Sequence, residues 1–324
     1  MMKAVLACCV LIAVGSAAPR ERRFSLEYEV TVPATTHGPV HLWVPVPHDD
    51  ANQHIRGLEI DANAPYRIET DALGNRILSV EATKPSVTLR LECVRQERVQ
   101  PLQGVQHAAT LTPQERARWL APDHLVPIDA TIRAWAQAVV DNAHAHTDLE
   151  MARAIYNHVV ATVKYDKTGK GWGRGDIYYA CDARRGNCTD FHAIFIGYSR
   201  AMGIPARFSI GIPLPTERGA GTIEGYHCWA EFYAEGIGWV PVDASEAAKN
   251  PSRREYYFGT HDENRIEFTQ GRDLVLAPRQ AGEPLNYFIN PYAEAGGKPL
   301  PGVQKIVRWK DLSGTTQTAS SENR

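Results

Sequence analysis

The chain has 324 residues, 44% hydrophobic and 22% charged, a composition that suits a globular protein and excludes both disorder and a bundle of membrane helices. Lysine and arginine number 35 against 37 acidic residues, so the net charge of -2 gives no reason to expect nucleic acid or an anionic membrane surface as partner. The length allows one or two domains.

Residues 1–17 read as an export signal: Lys3, the apolar run from Ala4 to Val14, then Gly15, Ser16 and Ala17, with the mature chain starting near Ala18. That run is shorter than the roughly 20 apolar residues needed to cross a bilayer, and no later stretch reaches that length, so no membrane span is expected. The chain is therefore expected in the periplasm or outside the cell. A lipoprotein processing site at Leu6-Ala7-Cys8 is the alternative, disfavoured because almost no apolar segment would precede Cys8. Signal cleavage removes Cys8 and Cys9 and leaves Cys93, Cys181, Cys188 and Cys228, too few for a disulfide scaffold.

Residues 18–105 are expected to form an N-terminal β-sandwich. Phe24-Ser25-Leu26-Glu27-Tyr28-Glu29-Val30 alternates apolar and polar residues, and 40–44, 76–80 and 87–91 repeat that period, with Leu73-Gly74-Asn75 and Pro45-Val46-Pro47 as turn chemistry. Helical spacing takes over in the second unit, 106–295. Thr112-Pro113-Gln114-Glu115 offers a cap, a proline at the first helical position and an acidic first turn. Longer helices are predicted over 128–143 and 148–163, each with one apolar face. The stretch 165–187 holds Gly169, Gly171, Gly173, Gly175 and Gly186 among aromatic residues and is read as a long loop walling a substrate site, with a mobile surface excursion as the alternative.

Asn187 caps a predicted helix over 188–202, stopped by Gly203-Ile204-Pro205. Strands follow over 207–211, 226–234 and 239–243, the last two joined by a hairpin at Glu235-Gly236-Ile237-Gly238, with weaker strand signals at 266–268 and 286–289. Residues 296–324 read as a polar tail.

Cys188 falls in the first turn of its helix, where free backbone N–H groups and the positive end of the helix dipole favour a thiolate. A thiol nucleophile needs a base, and the base needs a group to orient it. His227 opens one strand and Asp243 closes the next, so the hairpin brings both ends to one side; the pairing carries Asp243 back towards Glu231 or Trp229, and a small register change closes the remaining gap to His227. His192 shares the helical face of Cys188 and competes as base, but a supporting core histidine fits its position better.

In order and spacing, Gly186-Asn187-Cys188-Thr189-Asp190-Phe191, Arg200 to Arg207, His227-Cys228-Trp229-Ala230-Glu231-Phe232 and Gly238-Trp239-Val240-Pro241-Val242-Asp243 resemble the transglutaminase-like core. The resemblance covers roughly residues 150–250. It implies an α+β, papain-like fold, with the cysteine helix packed on an antiparallel sheet, and the triad Cys188, His227 and Asp243. No cofactor and no metal are expected. Since the family holds peptidases, amidases, cross-linking enzymes and inactive relatives, it fixes the apparatus better than the substrate. A thioester intermediate formed from an amide carbonyl is expected, with hydrolysis favoured over cross-linking and a peptide or protein, cell-wall peptide included, as substrate.

Substrate contacts are expected from Trp172, Tyr226 and Asp190, with Trp229 and Trp239 either lining the same groove or packing in the core. Cys181 and Cys228 are candidates for a disulfide in an oxidising compartment; two buried free thiols are the alternative, since strand alternation turns Cys228 away from what His227 faces. Two other classes remain open. A zinc site drawn from Cys181, Cys188, His192, His227 and Cys228 is disfavoured by spacing, which offers no Cys-x-x-Cys pair. A binding module that kept the fold and lost the chemistry would carry an unreactive Cys188.

Overall fold

In β1 (Glu21–Thr31) every second residue from Arg22 to Val30 is buried, as a strand with one face on a core requires. The computed structural model describes residues 19–33, 38–103 and 109–313; the expected export signal, with Cys8 and Cys9, lies outside them. Six further strands follow: β2 (Val40–Val46), β3 (Gln53–Ala62), β4 (Tyr66–Thr70), β5 (Arg76–Ala82), β6 (Ser86–Gln96) and β7 (Arg98–Val99). Then come α1 (Pro113–Leu120), α2 (Ala130–Asn142), α3 (Asp148–Thr162), β8 (Lys164–Tyr165), α4 (Ile177–Ala183), β9 (Arg185–Gly186) and α5 (Cys188–Ala201). The remainder comprises β10 (Ala206–Pro213), β11 (Ala220–Ile223), β12 (His227–Ala234), β13 (Gly238–Val242), α6 (Ala244–Lys249), β14 (Thr260–His261), β15 (Arg265–Gln270), β16 (Tyr292–Ala295), β17 (Lys298–Pro299) and β18 (Gln304–Asp311).

Two five-stranded sheets, ordered β11-β18-β1-β6-β3 and β17-β16-β2-β5-β4, bring their apolar faces into one core cluster. Each fully buried Val, Leu or Phe there is worth about 1.5–3 kcal/mol of burial. The sandwich is not built from the N-terminal segment alone, because β11, β16, β17 and β18 complete it. Part of the expected polar tail is therefore strand: β18 lies between β1 and β11, with Val307 and Trp309 buried. Its alternation is masked in the sequence by Lys305, Arg308, Lys310 and Asp311. Residues 286–289 are core without being strand: Phe288 and Ile289 are buried, and their carbonyls accept from Thr269 Oγ1 and Tyr28 Oη instead of from a neighbouring strand.

The second layer system is the α+β core. An antiparallel sheet, β13-β12-β10-β15, carries α5 against it, and all 14 residues of α5 are buried. Besides the sheet, α2, α3, α4 and α6 supply the cover, and the buried polar residues of α5 such as Asp190 and Arg200 are met by hydrogen-bond partners. Gly197 permits the close approach of α4, since a Cβ there would meet Ile177 Cδ1 at 2.4 Å, and Val126 Cγ1 at 2.8 Å. The glycine-rich stretch is less irregular than its composition suggests. Asp176 caps α4 by accepting from the N–H groups of Tyr178 and Tyr179, and β8 pairs with β9 at the base of the loop.

Candidate active site

Asn187 starts α5 through a reciprocal cap: its side chain accepts from the Thr189 N–H at 2.9 Å, and its own N–H donates to Asp190 Oδ2 at 2.9 Å. Cys188 is the first residue inside that cap. Its thiol is 1% exposed, and its N–H meets no acceptor among the described residues, so a donor at the positive end of the helix is left open beside the sulfur.

His227 is the first residue of β12, and β12 pairs with β13 in a register that sets Tyr233 opposite Trp239 and Ala230 opposite Val242. Asp243 then leaves the strand to cap α6, and this departure swings its carboxylate to the strand end where His227 stands. His227 Nε2 lies 2.7 Å from Asp243 Oδ2, which also accepts from Arg265 Nη1 at 3.1 Å. Oδ1 accepts from Ser245 Oγ at 3.1 Å and from the Glu246 N–H at 3.0 Å. Four donors thus occupy a fully buried carboxylate, which fixes it as an acceptor and puts the imidazole proton on Nε2. Nδ1 has no partner among the side-chain hydrogen bonds of the described residues, and the Cys188 thiol is a neighbour of the ring.

Burial alone would push the Cys188 thiol up, but hydrogen bonds from Cys228 and His227 and the imidazolium charge hold it well below its ordinary range. Burial likewise works against charge on His227; Asp243 and the thiolate outweigh it and raise the imidazole to about 10. The Asp243 carboxyl is held well below the usual range, because His227 and Arg265 outweigh its desolvation. All three shifts favour a thiolate, an imidazolium and a carboxylate in a row.

His192 lies behind this row. The Ala244 N–H donates to its Nε2 at 3.2 Å, so the ring proton sits on Nδ1, 3.7 Å from Cys228 Sγ, and burial lowers its pKa to about 4. The 3.8 Å approach of Nε2 to Asp243 Oδ1 is therefore not an ion pair. His192 supports the Asp243 corner and does not replace His227.

Of the expected substrate contacts, Asp190 is not one. It is fully buried, with Oδ2 accepting from the N–H groups of Gly173 (2.7 Å) and Asn187 (2.9 Å) and Oδ1 from that of Gly175 (3.1 Å). Its carboxylate latches the glycine-rich loop to α5. Trp172, next to Gly173, is half-buried, and Tyr226 is half-buried with its hydroxyl accepting from Asn187 Nδ2 at 3.1 Å. Trp229 is buried beneath His227 and Arg265, while Trp239 lies under Arg207. Both are packing residues.

The candidate disulfide is absent: Cys181 Sγ lies 3.4 Å from Tyr198 Oη, Cys228 faces His192 on the α5 side of the sheet, and both are free. No cluster of metal-ligating side chains occurs among the described residues. A cavity of about 810 Å³ opens between α2, α3, α4 and α5, lined by Trp135, His158, Cys181 and Tyr198 among others, and not at Cys188. Sequence reasoning missed Arg265. Its one local signal is Asp262 three residues earlier, which reads as an ordinary surface pair.

Residues 133–244 match the model of the transglutaminase-like superfamily. That stretch is a transglutaminase-like core within the chain. It is 27% identical, over an alignment of 356 residues taking in 92% of this chain and 95% of the other, to an uncharacterized protein of Haemophilus influenzae. Among solved structures, a candidate cysteine protease from Cytophaga hutchinsonii is similar in fold, with a TM-score of 0.62, 17% identity, and coverage of 91% of this chain and 92% of that one. The periplasmic domain of TgpA from Pseudomonas aeruginosa aligns with a TM-score of 0.36 and 15% identity over 75% of this chain and 98% of that one.

Proposed function

We propose that the protein is an exported thiol enzyme that cleaves amide bonds of peptides or proteins through Cys188, His227 and Asp243. The observation that carries this reading is the 2.7 Å contact of His227 Nε2 with Asp243 Oδ2, which leaves Nδ1 for a thiol at a helix N-terminus. The Cys188 thiolate attacks the carbonyl carbon, the oxyanion is held by the Cys188 N–H, and His227 gives its Nδ1 proton to the departing amine. The thioester so formed is then released by water, with His227 taking the water proton. An amine in place of water would make the product a cross-link. The absence of a recognisable calcium loop in the sequence favours water.

The test is the pH dependence of Cys188 alkylation by iodoacetamide, read by peptide mass spectrometry, with His227→Ala as control. Labelling well below the ordinary thiol pKa of about 8.5, lost in His227→Ala, is the expected result. Labelling no faster than an ordinary thiol overturns it. Release of amine from peptide libraries then tests hydrolysis, and incorporation of an added amine in excess of hydrolysis would overturn that assignment. Fractionation of cells tests export; confinement of the mature chain to the cytosol contradicts it.

One observation favours a second reading. Cys188 is 1% exposed and His227 is 6% exposed, so the centre is closed to solvent, as suits a binding module that kept the fold without the chemistry. A Cys188 inert to iodoacetamide in the folded protein would support that reading.

A further inference from the structure

The Asp243 oxygen that contacts His227 is shared with a guanidinium from another strand. Arg265 opens β15 with its side chain 2% exposed; Nη1 donates to Asp243 Oδ2 at 3.1 Å, while Nε and Nη2 both reach Asp262 Oδ1 at 3.3 Å. Its Cζ lies 4.9 Å from the centre of the Trp229 ring, so the fork is gripped on its flat face as well as at its edge. Removing a guanidinium from water costs several kcal/mol, which only close partners offset. Here one of the two carboxylates receiving it belongs to the candidate triad.

The segment that carries Arg265 is held from its other side by the sandwich. Asn264 Oδ1 accepts from Arg22 Nη1 at 2.7 Å, and Glu263 lies 3.2 Å from Arg20 Nε. Gln53 bonds both the N–H and the carbonyl of Glu267, at 2.7 and 3.0 Å. Arg265 is thus fixed in position before Asp243 meets it, and a two-toothed guanidinium sets both the direction and the charge of what it binds.

We propose that Arg265 is a positioning residue for the catalytic centre: it holds the Asp243 carboxylate ionised and aimed at His227 Nε2. The proposal rests on the thiolate reading of Cys188 and His227. Without the guanidinium, a buried Asp243 beside His227 can relieve its charge by taking the imidazole proton, leaving a neutral acid and a neutral ring. Nδ1 then offers the thiolate no cation, and the thiol recovers its proton. Arg265 closes that route because its own charge cannot be discharged at accessible pH. The other titratable groups facing the centre are His192 and Asp190 on α5, Cys228 on β12, Glu246 on α6 with Oε1 3.9 Å from His227 Nε2, His261 on β14, Asp262 beside Arg265, and the hydroxyls of Tyr156, Tyr165, Tyr226, Tyr257 and Tyr287. Substitution of Arg265 removes none of them.

The experiment measures the pH midpoint of Cys188 alkylation by iodoacetamide in the full mature chain for wild type, Arg265→Gln and Arg265→Lys, with folding checked by circular dichroism. Arg265→Gln should raise the midpoint by about one pH unit or more, the size of the effect of an adjacent opposite charge. Arg265→Lys keeps a charge but cannot reach Asp243 and Asp262 together, and should fall between the two. An unshifted midpoint in folded Arg265→Gln overturns the proposal. Should that variant fail to fold, Arg265→Lys decides: a wild-type midpoint overturns the proposal and a raised one supports it. Failure of the underlying triad reading looks different, since wild-type Cys188 itself would then label as an ordinary thiol regardless of His227.

Discussion

His227 Nε2 and Asp243 Oδ2 meet at 2.7 Å although they belong to strand ends that the ladder does not pair directly, because Asp243 turns out of β13 to cap α6. The cap fixes the carboxylate from its other oxygen. Asp243→Asn keeps the shape but presents an amide, so the imidazole can settle in the tautomer whose proton lies on Nδ1, facing the thiol it should deprotonate. Acyl transfer should fall by about 10²–10⁴-fold, and alkylation at pH 6 should drop towards that of an ordinary thiol. Loss of the buried charge should also cost about 3 kcal/mol, so rates are to be compared well below the unfolding temperature. Wild-type alkylation at pH 6 in Asp243→Asn would remove Asp243 from the mechanism.

Stability should carry a second signature of the ion pair. A thiolate with an imidazolium holds one proton between them, the same count as a neutral thiol with a neutral imidazole in the unfolded chain between about pH 6.5 and 8.5. The pair therefore contributes no pH dependence in that window. Below it, the unfolded histidine binds a proton that the folded pair refuses, so stability falls with falling pH. Above it, the unfolded cysteine releases a proton while His227 keeps its own to about 10, so stability falls with rising pH. In Cys188→Ser only the raised His227 remains, whose contribution is full below about pH 6.5 and lost as pH climbs towards the folded value. Urea unfolding at pH 7 and 8.5 should then show a downward slope in Cys188→Ser, at most about 1.4 kcal/mol per pH unit, that wild type lacks. Parallel profiles would mean that the pair is neutral.

The loop latch makes a separate claim. Asp190 accepts from Gly173, Gly175 and Asn187, and Asp190→Asn would turn part of that acceptor into a donor facing N–H groups. A loss of about 1–3 kcal/mol is expected, with limited proteolysis opening first at residues 166–176. Gly186→Ala should act on the same latch, since a Cβ there would stand 2.1 Å from Asp190 Oδ2, at a φ of +159°. An unchanged digestion pattern in Asp190→Asn would show that the loop is held by other contacts.

What the sequence made legible follows from how local each signal is. The alternation in β1, the cap at Asn187 and the glycine stop after α5 are all written within a few residues of where they act, and each was readable. Hairpin pairing carried Asp243 only as far as Glu231 or Trp229; the register change expected to bring it to His227 does not occur, and the turn of Asp243 into the α6 cap closes the gap instead. Arg265, by contrast, meets Asp243 across 22 residues and a change of strand, and Asn264 meets Arg22 across 242. Nothing near Arg265 in the chain announces either contact. Asp190 misled for the opposite reason: a charge beside a candidate nucleophile suggests a substrate contact, and only its burial and its three backbone donors reveal a latch.

The strand at 304–311 gives the last expectation. β18 lies between β1 and β11, so it is an interior strand of its sheet, and Trp309 is its largest buried residue, with the Arg22 guanidinium 5.0 Å from the ring centre. Arg22 also pairs with Asp311 at 2.8 Å and holds Asn264, so the strand is tied to the segment that carries Arg265. Trp309→Ala should cost about 3–5 kcal/mol, and a chain cut after Gly302 should leave β1 with an unpaired edge and accumulate as aggregate. A truncated chain that stays soluble and unfolds with the wild-type midpoint would mean that β18 is dispensable to the sandwich. Loss of the folded state together with Cys188 reactivity is the expected outcome, because Arg22 connects β18 to the strand on which Arg265 meets Asp243.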